Sequence, residues 1–254
     1  MPTKKVDFRT AAGHLLSARL ELPDGPVRAY ALYAHCYTCG KDVIAARRIS
    51  ATLASHGIGV LRFDFTGLGA SEGDFADTNF SSNVQELVAA AGHLRQVYAA
   101  PRLLIGHSLG GTAALAAAGL IPEVKAVATI ASPSEPRFLM EMLGERAGTI
   151  AEQGEAQVML AGREFTLRSQ LLDDLTQHGL EDKIRHLNRA LLVMHSPIDS
   201  AVDVSHAMRI FQLARHPKSF VSLDHMDHLL TNRNDGAYVA GVIAAWSMRY
   251  LQSE

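Results

Sequence analysis

The sequence predicts an α/β fold, a mainly parallel sheet with helices on both faces. Three observations carry this. Apolar runs of strand length alternate with stretches of helical periodicity, the order that builds parallel sheets. One run, residues 58–65, is almost wholly apolar, as a strand covered on both faces should be. And Gly106-His107-Ser108-Leu109-Gly110 reads G-x-S-x-G between the apolar run Arg102-Leu103-Leu104-Ile105 and an Ala-rich helix former, so a strand enters a sharp turn and leaves as a helix.

Taken in order, residues 6–9 and 14–22 alternate apolar and polar positions around Ala11-Ala12-Gly13 and predict an antiparallel hairpin. Residues 27–34 follow the turn Pro23-Asp24-Gly25-Pro26 as a third strand. Ile44, Ile49 and Leu53 mark a helix over 44–56, stopped by Gly57. After the strand at 58–65 comes a Gly-rich loop, 66–73. A helix over about 83–98 follows, with Ser82 and Gln85 as its capping box and Val84, Leu87, Val88, Ala91 and Leu94 on one face. Strand 103–105, the sharp turn and helix 109–120 come next. Strands at 124–130, 190–195 and 219–223 and helices at 202–215 and 236–251 complete the pattern; Val239, Val242, Ile243 and Trp246 give the last helix its buried stripe.

Residues 134–185 break the alternation. They offer Phe138-Leu139-Met140-Glu141-Met142-Leu143, a hairpin from 158–160 to 164–167 across Ala161-Gly162, and a helix near 169–177. A segment this long inside a compact domain is usually a functional lid. The chain therefore divides into a core, residues 1–133 and 186–254, and a small inserted cap, 134–185.

Composition removes other classes. A chain of 254 residues suits one α/β domain with such an insertion. A net charge of −2 leaves no electrostatic footprint for nucleic acid. The first residues, Met1-Pro2-Thr3-Lys4-Lys5-Val6-Asp7-Phe8, lack a signal peptide's apolar run. Residues 109–121 are too short and too rich in Gly and Ala to span a bilayer. Cys36 and Cys39 do not make a disulfide scaffold. The expectation is an intracellular, cytoplasmic protein, monomer or homodimer, with no nucleic-acid or membrane partner.

Ligands of open α/β sheets sit beyond the carboxyl ends of the strands, so acid and base are sought there, in the order serine, acid, histidine. Asp199 lies in Ser196-Pro197-Ile198-Asp199-Ser200, after the strand at 190–195. His228 lies in Asp224-His225-Met226-Asp227-His228, after the strand at 219–223. A neutral serine hydroxyl is a weak nucleophile, so His228 must take the Ser108 proton during attack. Asp199 would hold the imidazole in the right tautomer and stabilise its cation. The oxyanion needs donors: the Leu109 N–H and, from the loop His35-Cys36-Tyr37-Thr38, the Tyr37 N–H.

These residues resemble those of the α/β-hydrolases along nearly the whole chain. More narrowly they resemble serine-hydrolase domains that occur alone or fused to an OsmC-like peroxide-reductase domain. The stretches that carry the likeness are His35-Cys36-Tyr37-Thr38-Cys39-Gly40-Lys41-Asp42, Phe63-Asp64-Phe65-Thr66-Gly67-Leu68-Gly69 through Ser71-Glu72-Gly73, the elbow, His195-Ser196-Pro197-Ile198-Asp199, and Asp227-His228-Leu229-Leu230. The resemblance implies an eight-stranded α/β-hydrolase sheet and carboxylesterase chemistry on a small-molecule ester, with Ser108, Asp199 and His228 as triad and no cofactor or metal. This chain has His35-Cys36 where most of the wider fold has His-Gly. No OsmC-like domain follows Glu254, so no peroxidase activity is implied.

Each residue has a plainer reading. His225 rivals His228, but in a short loop it should point elsewhere. Asp203 rivals Asp199, yet Ser200-Ala201-Val202-Asp203 fits a capping box. Asp227 fits a loop anchor better than a triad acid. His35, Cys36, His107 and Met140 are placed at the substrate site, although His107 also suits packing and His35 also suits bracing of the oxyanion loop. Met140, Met142 and Met159 either line a pliable acyl pocket or pack the cap on the body. Cys36-x-x-Cys39 invites a redox or metal reading, against which no second pair exists and His35 precedes rather than follows. Asp64 with the loop 67–73 lacks the Lys-Ser/Thr ending of a phosphate-binding loop. The cap and an aromatic content of 6% point to small or medium acyl groups. A peptidase or amidase on the same fold, or a non-catalytic partner module for an OsmC-like protein, are the alternatives.

Overall fold

Residues of neighbouring strands sort by parity, and that parity builds the two faces of the sheet. In the computed structural model, which describes residues 1–251, the chain opens with a hairpin of β1 (Thr3–Arg9) and β2 (Leu15–Glu21). It continues through β3 (Ala29–Ala34), α1 (Ile44–Ser55), β4 (Ile58–Phe63), α2 (Phe80–Val97), β5 (Pro101–His107), α3 (Leu109–Ala117) and β6 (Ala126–Ile130). After an inserted segment, which holds α4–α7, β7 and β8, come β9 (Ala190–His195), α8 (Val204–Leu213), β10 (Lys218–Ser222) and α9 (Asp235–Leu251). The main sheet has the order β1-β2-β4-β3-β5-β6-β9-β10. It is parallel from β4 to β10, while β2 runs against β1 and β4.

Alternate residues then feed two cores. Leu32, Ala34, Val127, Leu191 and Val193 pack on the face carrying α2 and α3. Ala31, Tyr33, Ala126, Ala128, Leu192 and Met194 pack on the face carrying α1 and α9. Strands buried on both sides need continuous apolar sequence, which is why β4 and β9 have no exposed position. α2 starts earlier than the predicted 83 and uses a different cap. The Asn79 side chain accepts from Ser82 N–H and Ser82 Oγ accepts from Asn79 N–H, a reciprocal box that draws buried Phe80 into the helix. α8 also has another cap than the predicted one: Asp203 itself accepts from Ser205 N–H at 2.8 Å.

The insertion between β6 and β9 holds α4 (Phe138–Leu143), α5 (Glu145–Gln153), the hairpin β7 (Glu155–Leu160) and β8 (Arg163–Arg168), α6 (Ser169–Gln177) and α7 (Glu181–Arg185). Its hairpin forms a separate two-stranded sheet. Its apolar residues, including Leu139, Ile150, Phe165 and Leu171, join the core that contains α2 and α3. Polar bonds tie it to the start of α2: Asn79 donates to Gln170 at 2.8 Å, Ser81 N–H donates to Asp174 at 2.9 Å, and Arg168 pairs with Asp77. No helix among the described residues is long and apolar enough to cross a membrane.

Candidate active site

Ser108 sits where β5 ends and α3 begins, with φ 55° and ψ −131°. A side chain rarely adopts this conformation, and holding it there costs about 1–3 kcal/mol. Two neighbours make the turn possible by having no Cβ. On Gly106 a Cβ would overlap the backbone of Gly111, and on Gly110 it would overlap the carbonyls of Ala34 and His35. Gly110 is therefore the point at which α3 presses on the chain leaving β3. Ser108 N–H donates to the Ile130 carbonyl at 2.8 Å, which fixes the turn against β6.

His228 and Asp199 reach Ser108 from the loops after β10 and β9. Asp227 organises the first loop by accepting from Leu229 N–H at 2.9 Å and from Thr231 N–H at 3.2 Å. This occupies Asp227 and presents the next residue to the sheet edge. His228 Nδ1–H donates to Asp199 Oδ2 at 2.8 Å, and His228 Nε2 lies 3.1 Å from Ser108 Oγ. A carboxylate is only an acceptor, so Nδ1 carries the proton and the Nε2 lone pair faces the hydroxyl. The other Asp199 oxygen accepts from Ala201 and Val202 N–H at 2.9 and 3.0 Å. Burial alone would raise the Asp199 pKa, but the bonds from His228, Val202 and Ala201 outweigh it and hold the carboxyl below its usual range. His225, exposed and at φ 63°, stands outside this line of bonds.

Leu109 N–H, first in α3, and Tyr37 N–H, in the loop after β3, are two of the backbone donors that bond to no backbone carbonyl among the described residues. The loop holding Tyr37 starts beside the turn, since Ala34 pairs in register with Gly106. The arrangement can therefore deprotonate a hydroxyl, orient and stabilise the resulting imidazolium, and offer N–H donors to a developing anion. No group of three or more His, Cys, Asp or Glu side chains that could hold a metal occurs among the described residues.

Several residues expected at the substrate are found elsewhere. His35 and His107 are each 1% exposed and so lie behind the site rather than in it. The carbonyl of His228 accepts from His107 Nε2–H at 2.7 Å, so His107 ties the turn at Ser108 to the loop that carries His228. Burial first, and then the charge of His228, push the His107 pKa down to about 4 and keep the ring neutral. His35 Nδ1–H donates to the Cys36 carbonyl at 2.8 Å, and its ring meets Phe65 edge-on. Met140 is half-buried against the core, but Met142 and Met159 are 50% and 63% exposed and line no acyl pocket. They sit on exposed positions of α4 and β7.

Cys36 and Cys39 correct the sequence expectation most directly, because they are bonded to each other. The turn they bracket is closed by Cys39 N–H donating to the Cys36 carbonyl at 3.0 Å. It brings the two Cα atoms to 5.3 Å, inside the range a disulfide requires. Cys36 is 6% exposed and cannot be a surface contact.

Two supports went unpredicted. Lys41 and Asp64 form a buried ion pair at 2.5 Å that joins the loop after β3 to the loop after β4. His195, wholly buried, lies 3.6 Å behind Asp199 and donates Nε2–H to the Val202 carbonyl at 2.8 Å. Both lie in quoted stretches of resemblance, but no local pattern announces their pairing. An aromatic column completes the frame: Tyr37 meets Phe75 at 5.2 Å between ring centroids, and Phe75 meets Phe165 of the inserted hairpin at 4.8 Å.

Residues 31–240 match the Alpha/beta hydrolase family. Among solved structures, the esterase domain of a Rhodothermus marinus protein is 48% identical, with a TM-score of 0.81 and coverage of 99% of this chain and 100% of that one. Est1E of Butyrivibrio proteoclasticus, solved with ferulic acid bound, is 18% identical at a TM-score of 0.81, covering 97% of this chain and 99% of its own, a likeness of fold. Among curated proteins, an uncharacterised protein of Salmonella typhi, YfhR, is 22% identical over 205 residues, which is 80% of this chain and 66% of YfhR.

Proposed function

The chain belongs to the alpha/beta hydrolase family, and from that premise we propose that it is a serine carboxylesterase acting on small to medium acyl esters. The observation that carries the reading is the bonding of His228 to both partners, 3.1 Å to Ser108 Oγ and 2.8 Å to Asp199 Oδ2. Ser108 Oγ attacks the ester carbonyl carbon while its proton passes to His228 Nε2. The tetrahedral oxyanion accepts from the N–H groups of Leu109 and Tyr37. Collapse expels the alkoxide, which takes the proton from His228 and leaves as the alcohol. Water, deprotonated by His228, then attacks the acyl-enzyme, and a second collapse frees the acid and Ser108. Asp199 remains ionised throughout and holds the imidazolium.

The esterase name of the Rhodothermus marinus domain supports this reading. Turnover of p-nitrophenyl acetate, butyrate and octanoate by the wild type and Ser108→Ala tests it, with fluorophosphonate labelling as a second readout. Turnover that falls by several orders of magnitude in Ser108→Ala, with labelling lost, is the expected result. Equal turnover in both proteins would move the chemistry off Ser108. Labelling without hydrolysis of any ester would turn the reading towards amides.

A further inference from the structure

The disulfide Cys36–Cys39 encloses Tyr37 and Thr38, and Tyr37 carries an N–H assigned above to the oxyanion. The Cys36 carbonyl accepts two bonds, from Cys39 N–H at 3.0 Å and from the His35 ring at 2.8 Å. In a trans peptide the carbonyl and the following N–H point in opposite directions. Holding the Cys36 oxygen on these two donors therefore aims the Tyr37 N–H the other way, and that N–H bonds to no backbone carbonyl among the described residues. Further along, Lys41 N–H is anchored on Asp64 at 2.6 Å. Between these anchors the disulfide is the only covalent restraint on the Cys36–Tyr37 peptide.

We propose that the Cys36–Cys39 disulfide positions the oxyanion donor of Tyr37, and that its reduction reversibly slows the enzyme. The inference rests on the serine-hydrolase reading and gives that site a dependence on thiol redox state. With the bond open, no cross-link holds Cys39 against Cys36, so the Cys39 N–H leaves the Cys36 carbonyl and the first peptide of the turn, held by the His35 bond alone, is free to rotate. The acyl-transfer transition state then meets one well-aimed donor instead of two. Substrate binding, which does not use the oxyanion donors fully, changes little.

Opening is an exchange with a small dithiol. A thiolate of the reductant attacks Sγ of Cys39, the half-buried member of the pair, because Cys36 is 6% exposed. The Sγ–Sγ bond breaks, and Cys36 departs as a thiolate and takes up a proton. The second thiol of the reductant, as thiolate, then displaces Cys39, which is protonated in turn. The reductant becomes a disulfide by losing two electrons, and the protein gains them as two thiols. Oxidised glutathione reverses the sequence and is released as two molecules of the reduced tripeptide.

The test uses the full chain in three states: oxidised, reduced with dithiothreitol and desalted without oxygen, and reoxidised with oxidised glutathione. Alkylation mass shifts count the free thiols in each. Kinetics on p-nitrophenyl butyrate should show kcat falling about 10- to 100-fold on reduction and returning on reoxidation, below the ~10²–10³ cost of losing a donor outright. KM should stay within about twofold, because the donor acts in the transition state. The double variant Cys36→Ala/Cys39→Ala should sit at the reduced rate and ignore dithiothreitol, with its melting temperature read alongside. Equal kcat in states that differ by two thiols would overturn the proposal and leave the serine-hydrolase reading standing. So would a change confined to KM, or two thiols that no oxidant closes. No turnover and no fluorophosphonate labelling in any state would overturn both.

Discussion

Asp64→Asn should be among the most damaging substitutions outside the triad. Asp64 Oδ1 accepts from Lys41 N–H at 2.6 Å, and Oδ2 accepts from Lys41 Nζ at 2.5 Å and Ala70 N–H at 3.0 Å. The side chains of Lys41 and Asp64 are 6% and 2% exposed. Burial would raise the carboxyl's pKa, yet the bonds from Lys41 and Ala70 and the Lys41 charge hold it below the usual range. Removing one charge of a buried pair typically costs about 3–5 kcal/mol, because the other stays desolvated. Asp42, 3.8 Å from Lys41 Nζ but 55% exposed, offsets a part of this. The amide also turns a donor towards donors and leaves at least one N–H unpaired, at about 1–3 kcal/mol. The expected loss is about 4 kcal/mol, a large share of a domain stability of about 5–15 kcal/mol. Urea unfolding at pH 7 measures it as a fall in midpoint at unchanged slope. Lys41→Met in the same background should recover about 2 kcal/mol, since it removes the stranded ammonium. A loss under about 1 kcal/mol, or additivity of the two changes, would refute the reasoning.

The strain at Ser108 predicts an inverted order of stability: with φ at 55°, Ser108→Gly should exceed Ser108→Ala by about 1 kcal/mol in urea unfolding, both being inactive. If Ala proved the more stable, the elbow would hold no strain. Asp199→Asn should lower kcat roughly 10⁴-fold with little change in KM, through loss of the His228 tautomer, and a fall within tenfold in ester kinetics would remove Asp199 from that role. His107 sets part of the acid limb of stability. Its pKa drops from 6.5 to about 4 on folding, so between those values the unfolded chain binds the extra proton. Stability is full above about pH 6.5 and is lost as pH falls towards 4. His107→Gln should flatten that limb by up to about 1.4 kcal/mol per pH unit in urea midpoints measured from pH 4.5 to 7, and an unchanged slope would place the proton elsewhere.

What was legible in the sequence was local. The elbow announces itself because strand, strained turn and helix are contiguous, and β4 and β9 because both of their faces must be apolar. The hairpin β7–β8 shows through its Ala161-Gly162 turn, where both residues take positive φ. What escaped depends on contacts distant in sequence or on competition between near neighbours. Asp64 meets Lys41 across 23 residues because β3 and β4 lie side by side. Asn79 wins the start of α2 over Ser82, which serves in the same box from inside the helix. His35 and His107 carry ring nitrogens suited to catalysis, yet the positions that bear them face the packed side of the site. Cys-x-x-Cys spacing is silent on bonding until the turn is known, and Met142 and Met159 look apolar enough for a pocket while their helix and strand turn them to water.

The column of rings from Tyr37 through Phe75 to Phe165 limits how modular this architecture is. An inserted segment invites exchange: one could graft another between β6 and β9 to accept other substrates. Here the graft would carry away Phe165, and Phe75 would lose the ring that seats it behind Tyr37. A transplanted cap must therefore bring a bulky apolar side chain to that spot, or the chain after β3 will be retuned together with substrate range. Evolution of this lineage towards new substrates should accordingly proceed by changes at exposed positions of the insertion, with Phe165 of its hairpin kept.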